Sequence, residues 1–399
     1  MKYYFYVGSF ENELSVCSID TETLQMEKIS GVAHEFRPAQ LSMNHDMTVL
    51  YTANENSDGP GGVSSYSLLK LLNPKLTGDI KPGNHGPAFA ALTKDGKYLI
   101  GASFFDGVAE LFAVDENGAV TELLDSYQFE TTGTACNDGT FGQGTPRCHC
   151  VYPLKNSDLI AITDYSGDRL TTFAVENERL VLKTEYQFER GEATRFITDC
   201  PFRDDLYYVL AEYGSKVHVM QIDEKGNMKE LCCASTLEEE KKQNSTAAIK
   251  TTKDGKYLYV TNRGYDNIAV FKITKNGEAI ERIGFVRTGV GYSRDFSFTP
   301  DEEYMLVASM FEGKIYLHKM NHRTGMPEPM GISMDIPVPT NIVFAKIYAA
   351  AISPSFTLSI KLGMSIPTGQ PLTHFAFLQC KHRAGTHLTS DTSFIRIST

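Results

Sequence analysis

The chain contains no tryptophan and no excess of basic residues. Its 38 Lys and Arg stand against 49 Asp and Glu, a formal net charge of −11 over 399 residues. An acidic surface without a basic stripe argues against nucleic acid as a partner. No run of about 18 apolar residues occurs. The nearest stretch, 341–364, is interrupted by Lys346, Pro354 and Lys361, so no membrane partner is expected. The opening residues, Met1 to Gly8, lack an apolar core and a small-residue cleavage site and read as a strand, not a signal peptide. Cysteine is sparse: eight residues at irregular spacing predict reduced thiols in a cytoplasmic protein rather than a disulfide framework. No Gly-x-Ser-x-Gly occurs, which argues against the nucleophile elbow of an α/β-hydrolase.

What the sequence does have is 20 Tyr, 23 Phe and a repeat. Six apolar segments end in a small or polar residue: VLYTAN (49–54), YLIGAS (98–103), LIAITD (159–164), YYVLAE (207–212), YLYVTN (257–262) and MLVASM (305–310). Their last residues are 49, 61, 48, 50 and 48 positions apart. Asp95-Gly96-Lys97 and Asp254-Gly255-Lys256 precede two of them, and Asp-Gly between apolar runs is a strong hairpin signal. Each segment has a short strand before it and an alternating strand after it, and a fourth often follows. Four strands at a period near 48 predict an all-β, seven-bladed β-propeller. Six blades are complete. The seventh takes three strands from the N-terminus and its innermost strand from PTNIVF (339–344), so both termini build the closing blade. The long interval places an insertion, TTGTACNDGTFGQG (131–144), between the second and third blades.

Antiparallel pairing puts the start of each innermost strand and the end of each second strand on one face of the ring. Sorted this way, His85, Arg147, His149, Arg195 and Arg294 meet Asn54, Glu55, Asp164, Glu212, Asn262 and Arg263 at one channel mouth. Cations gathered there in an acidic protein predict a small anionic ligand. The segment TPRCHCVYP (145–153) lies on such a strand. Side-chain alternation sets Arg147 and His149 on one face and Cys148 and Cys150 on the other, so no metal is expected and the cysteines are expected to pack between blades. Asn54 and Asn262, ending strands, are expected to bond loop backbone, and Arg294-Asp295 to form a local pair.

DGKYLYVTNRGYDNIAVF (254–271), RPAQLSMNHDMTVLYTANE (37–55), RDFSFTPDEEYMLVAS (294–309) and the closing IPVPTNIVF resemble, blade by blade, segments of the lactonase family of seven-bladed propellers. That family comprises the propeller-type bacterial 6-phosphogluconolactonases and the related fungal carboxy-muconate lactonizing enzymes. The resemblance covers roughly residues 1–345. It implies hydrolysis of 6-phospho-D-glucono-1,5-lactone in the pentose phosphate route, without metal or cofactor. It places the catalytic set on His149, Arg195, Glu212 and Arg263, with Glu212 as general base. Arg147, Arg294, His85 and Asn262 are the expected substrate contacts. The chain departs from the family where Pro146-Arg147-Cys148-His149 replaces Pro-His-x-His, and where Thr194 and Ser293 stand in place of proline.

Residues 346–399 show no repeat and no helical period, and are expected to be a poorly ordered tail, dispensable for activity. A monomer or weak homodimer is expected. Two other functions remain open on sequence: a cycloisomerase acting on an unsaturated dicarboxylate, and a binding platform without chemistry. The missing tryptophan and Trp-Asp signatures argue against a WD40 platform.

Overall fold

The computed structural model describes residues 1–130, 145–239, 244–288 and 291–345, together with the backbone of 379–384 and 387–392. It divides into two units, Met1–Ile347 and Tyr348–Thr399. The first contains seven four-stranded antiparallel sheets. Blade one runs from Pro38–Met43 to Lys75–Ile80 and blade two from Phe89–Leu92 to Val120–Gln128. Blade three spans Cys148–Pro153 to Arg179–Gln187, and blade four Thr194–Cys200 to Met228–Ser235. Blade five spans Thr246–Thr251 to Ala279–Arg287, and blade six Ser293–Phe298 to Glu328–Asp335. Blade seven joins Pro339–Phe344 to Lys2–Ser9, Glu13–Asp20 and Gln25–Ala33. The registers Phe5↔Phe344, Tyr6↔Val343 and Val7↔Ile342 close the ring. The seven-bladed architecture and the shared closing blade are those read from the repeat. In the second unit, Gln379–Ala384 pairs with His387–Thr392 as a two-stranded hairpin. The insertion 131–144 and the remainder of the tail lie outside the described residues.

The repeat unit Thr-x-Asp-Gly-Lys-Tyr shapes the turn between innermost and second strands. In blade two the Thr93 hydroxyl donates to Asp95 at 2.7 Å, and Asp95 accepts the Lys97 backbone N–H at 3.2 Å. Thr252, Asp254 and Lys256 repeat this in blade five, as do Thr299, Asp301 and Glu303 in blade six. The turn needs a left-handed residue. Gly96 and Gly255 supply it at φ +72° and +65°, whereas blade six uses Glu302 at +56°.

The core lies between blades. Phe5, Val7, Leu306, Ile315 and Phe344 form one such cluster, bridging the closing blade to blade six. Tyrosine fastens these interfaces. Tyr6, Tyr51, Tyr208 and Tyr259, all on second strands, reach the outer turn of the next blade and donate to the carbonyls of Leu71, Gly118, Gly277 and Gly325 at 2.8–3.1 Å. Each ring fills the gap while its hydroxyl satisfies a buried acceptor, a use that suits an amphipathic aromatic.

The cysteine expectation needs one correction. Cys148 packs with Ile100, Leu111 and Phe129 of blade two, whereas Cys150 packs with Ile197, Tyr207 and Val209 of blade four. They do not share a face. The register runs Cys148↔Asp164 and then Val151↔Ile162, so a bulge breaks the alternation between them. Both are free and buried, and burial pushes the Cys150 thiol up to about 12, leaving it inert as a nucleophile at neutral pH.

If the tyrosine clips carry the interfaces, Tyr259→Phe should lower unfolding stability by about 1 kcal/mol, the net worth of one hydrogen bond. Urea denaturation checks this; an unchanged midpoint would assign the clip no energetic role.

Candidate active site

The residue that follows each second strand points into one cavity of about 610 Å³. Around the ring these are Phe10, Glu55, Phe104, Tyr165, Glu212, Arg263 and Met310. The residue before each, the last of the strand or its equivalent, is buried and bonds neighbouring chain instead. Ser103 donates to the Gly86 carbonyl, Ser309 to that of Gly291, and Asp164 accepts Arg169. One position of offset therefore separates structural from cavity-lining side chains.

The second contribution comes from bulges at the starts of innermost strands. Thr194 faces Ala211 and Phe196 faces Leu210, leaving Arg195 with no opposite residue. Arg294 is skipped in the same way between Ser293↔Ser309 and Asp295↔Ala308. His149 and Cys150 fall within the blade-three shift. A bulge re-aims the extra side chain, and Arg195, Arg294 and His149 all line the cavity.

Glu212 is clamped. Arg195 Nη1 donates to its Oε2 at 2.5 Å, while Arg263 Nη2 and the Ser245 hydroxyl donate to its Oε1 at 2.5 Å. Arg195 Nε bonds the Ala247 carbonyl at 3.1 Å. Arg263 spends its remaining donors on the Ser245 and Thr246 carbonyls and the Tyr292 hydroxyl. Tyr292 also lies under that guanidinium at 4.9 Å, its backbone held at φ +62°. Burial alone would raise the Glu212 carboxyl, but the two arginines and Ser245 outweigh it and hold it at about 2. A carboxylate that acidic, with both oxygens engaged, is a poor proton acceptor at neutral pH.

Three other groups are differently placed. His149 is buried among Phe104, Tyr165 and Phe196, and its Nδ1 meets no hydrogen-bond partner among the described residues. Burial, then Arg195, Arg294 and Arg263, push its pKa well below the ordinary value, so the ring is neutral. Arg294 lies 4.7 Å over the Phe10 ring, with no carboxylate bonded to it among the described residues. Asp295, its expected partner, instead pairs with Lys250 at 2.9 Å and accepts from Asn341. Burial, with Arg195 and Arg263 nearby, brings Arg294 down to about 10. Glu55 is 6% exposed and accepts no hydrogen bond from any described residue. Burial raises its carboxyl above the usual range, against the pull of Arg294, Arg195, Arg147 and Arg37.

Residues 4–344 match the family described as lactonase, 7-bladed beta-propeller. The chain belongs to this lactonase family. Among curated relatives, the 6-phosphogluconolactonase of Bacillus subtilis is 24% identical over 355 residues, covering 86% of this chain and 98% of its own length. Among solved structures, the periplasmic gluconolactonase of Pseudomonas aeruginosa superposes with a TM-score of 0.81 at 17% identity, over 87% of this chain and all of that one. A Lactobacillus plantarum protein gives 0.78 at 21% identity, with 87% of this chain covered and all of that one. At such identities the two structures speak for the fold.

Of the residues expected to form the lactonase site, His149, Arg195, Glu212, Arg263 and Arg294 converge on the cavity. Three others do not line it. Asn262 is fully buried, its amide bonded to Thr236, Asn244 and Asn267. It is a strand-end anchor, so a substrate contact is ruled out by its saturated hydrogen bonding. His85 pairs with Asp106 at 2.9 Å and packs on Phe105, outside the wall. Arg147 stacks at 4.7 Å on Phe104, behind the ring that faces the cavity. The aromatic wall of Phe10, Phe104, Tyr165, Tyr213 and Tyr292 went unread in the sequence. For Phe10, Phe104 and Tyr165 the signal was their place immediately after a second strand.

Glu212→Gln leaves two buried guanidiniums uncompensated and should destabilise the fold by about 3 kcal/mol. The folded carboxyl sits near 2 against an ordinary 4.5. Its contribution is therefore complete above the ordinary value and is lost as pH falls through about 2. The stability gap between wild type and Glu212→Gln should accordingly narrow on acidification. A gap that stayed constant from neutral pH down to the folded pKa would show that Glu212 is not the linked group.

Proposed function

We propose that this chain hydrolyses an anionic sugar-acid lactone to the open hydroxy acid, with 6-phospho-D-glucono-1,5-lactone as the preferred substrate and the cytoplasm as its place of action. The observation that carries this reading is Arg294: a guanidinium on the cavity wall, bonded to no carboxylate among the described residues, beside two arginines already committed to Glu212. An arginine fork matches a phosphate or carboxylate and binds it in two-pronged fashion. The lactonase family and the name of the Bacillus subtilis relative support the same chemistry. The cavity volume suits a small ligand.

In this scheme Arg294 anchors the anionic group. Arg195 uses one N–H on Glu212 and another on Ala247. A guanidinium has five donors, so Arg195 retains N–H groups for the lactone carbonyl, where negative charge grows as water adds. Glu212 holds Arg195 and Arg263 in place. The aromatic wall excludes bulk water and strengthens these interactions.

The test is the hydrolysis rate of freshly made 6-phosphogluconolactone against gluconolactone, each corrected for spontaneous opening. We expect acceleration of both, with preference for the phosphorylated substrate. Arg294→Met should raise KM for that substrate at least about tenfold and change the other less. No acceleration of either lactone would overturn the proposal; equal effects of Arg294→Met on both would remove the anchoring role.

A further inference from the structure

The two cavity carboxylates, Glu55 and Glu212, occupy equivalent positions, each immediately after a second strand, in blades one and four. Their surroundings differ. Both oxygens of Glu212 accept charged donors. Glu55, buried to nearly the same extent, accepts none among the described residues and faces the cavity. A buried carboxylate without a hydrogen bond is costly as a structural element, since desolvation is left uncompensated. Its cavity-facing position gives it access to water and substrate.

Charge decides which group can take a proton there. A proton on His149 would create a further cation beside Arg195, Arg294 and Arg263. A proton on Glu212 would break a clamp of two ion pairs and a hydroxyl bond. A proton on Glu55 neutralises a buried anion that has no bonded partner. We propose that Glu55 is the proton acceptor and donor of the lactone hydrolysis, a role that rests on the function proposed above. Glu55 removes one proton from the attacking water as its oxygen bonds to the carbonyl carbon. The tetrahedral adduct, held by Arg195, then expels the ring oxygen by breaking the acyl C–O bond. Glu55 returns the proton to that oxygen, giving the hydroxyl of the open acid. The new carboxyl group releases its own proton to solvent, so lactone and water are converted to hydroxy acid with the enzyme restored.

The experiment compares wild type, Glu55→Gln and Glu55→Asp for kcat, KM, pH profile and thermal melting, using 6-phosphogluconolactone and gluconolactone. Glu55→Gln should lower kcat on both substrates about 100-fold, the scale of a lost acid–base group, with KM little changed and melting unshifted. The acidic limb of the wild-type kcat/KM profile should vanish in Glu55→Gln and persist in Glu55→Asp at reduced kcat. The charged groups acting on Glu55 are Arg294, Arg195, Arg147 and Arg37. Removing the strongest of them in Arg294→Met should move that limb to higher pH, since a cation favours the ionised carboxylate. Full kcat in Glu55→Gln beside an active wild type would overturn the role of Glu55 and leave the lactonase reading standing. An inactive wild type would overturn both. Should Glu55→Gln melt early, loss of the limb in a well-folded Glu55→Asp would still count against the proposal.

Discussion

Everything at the cavity depends on one long-range pairing, that of Pro339–Phe344 with Lys2–Ser9. Until those strands meet, six complete blades and a seventh split between the termini form an open arc with unpaired strand edges, which is the usual liability of a sheet. Once they meet, Phe10 and Met310, on the two sides of the seam, join Glu55, Glu212 and Arg263 around a single space. None of these residues is near the others in sequence. The site is a property of the closed ring, and its residues acquire their neighbours only through that closure.

Within the ring, charge is divided between two jobs. Glu212 neutralises Arg195 and Arg263 and is locked by them. This is a buried ion-pair network whose desolvation is offset by good geometry and by the Ser245 and carbonyl contacts. What remains is a cation, Arg294, and an anion, Glu55, neither bonded to the other. A structural role would have brought them together, as it brought Asp295 to Lys250. Their separation is what the proposed roles require, one group to hold an anionic substrate and one to move a proton.

The fold was legible because its signal is repeated. Asp-Gly turns, apolar second strands and a period near 48 recur often enough that single irregular copies, such as the Glu302 turn, do not obscure them. The site was legible to within one residue. Asn262 looked like a substrate contact because it is a polar strand end, yet it lies one position short of the cavity-lining Arg263. The bulges were not legible. Strict alternation put Cys148 and Cys150 together, and only the register shows that Arg195, Arg294 and His149 fall where alternation lapses. Nor could sequence tell Glu55 from Glu212. They are the same residue type at the same ring position, and what separates them is that Arg195, from a bulge, and Arg263, after the next second strand, both reach Glu212.

In the proposed reaction an anionic substrate approaches a chain of net charge −11. The magnitudes favour entry. Exposed charges act over a Debye length of about 8 Å at physiological salt, so most of the acidic surface is screened from the channel mouth. Inside the cavity the walls are aromatic and the effective dielectric is low, so a guanidinium there outweighs several distant carboxylates. Burial first, and then the nearby Arg195 and Arg263, bring Arg294 down to about 10. Holding a buried guanidinium beside two others costs free energy. A phosphate or carboxylate bound to Arg294 would offset both the lost hydration and the neighbouring positive charge. A neutral ligand would offset neither, which favours the anionic substrate proposed above.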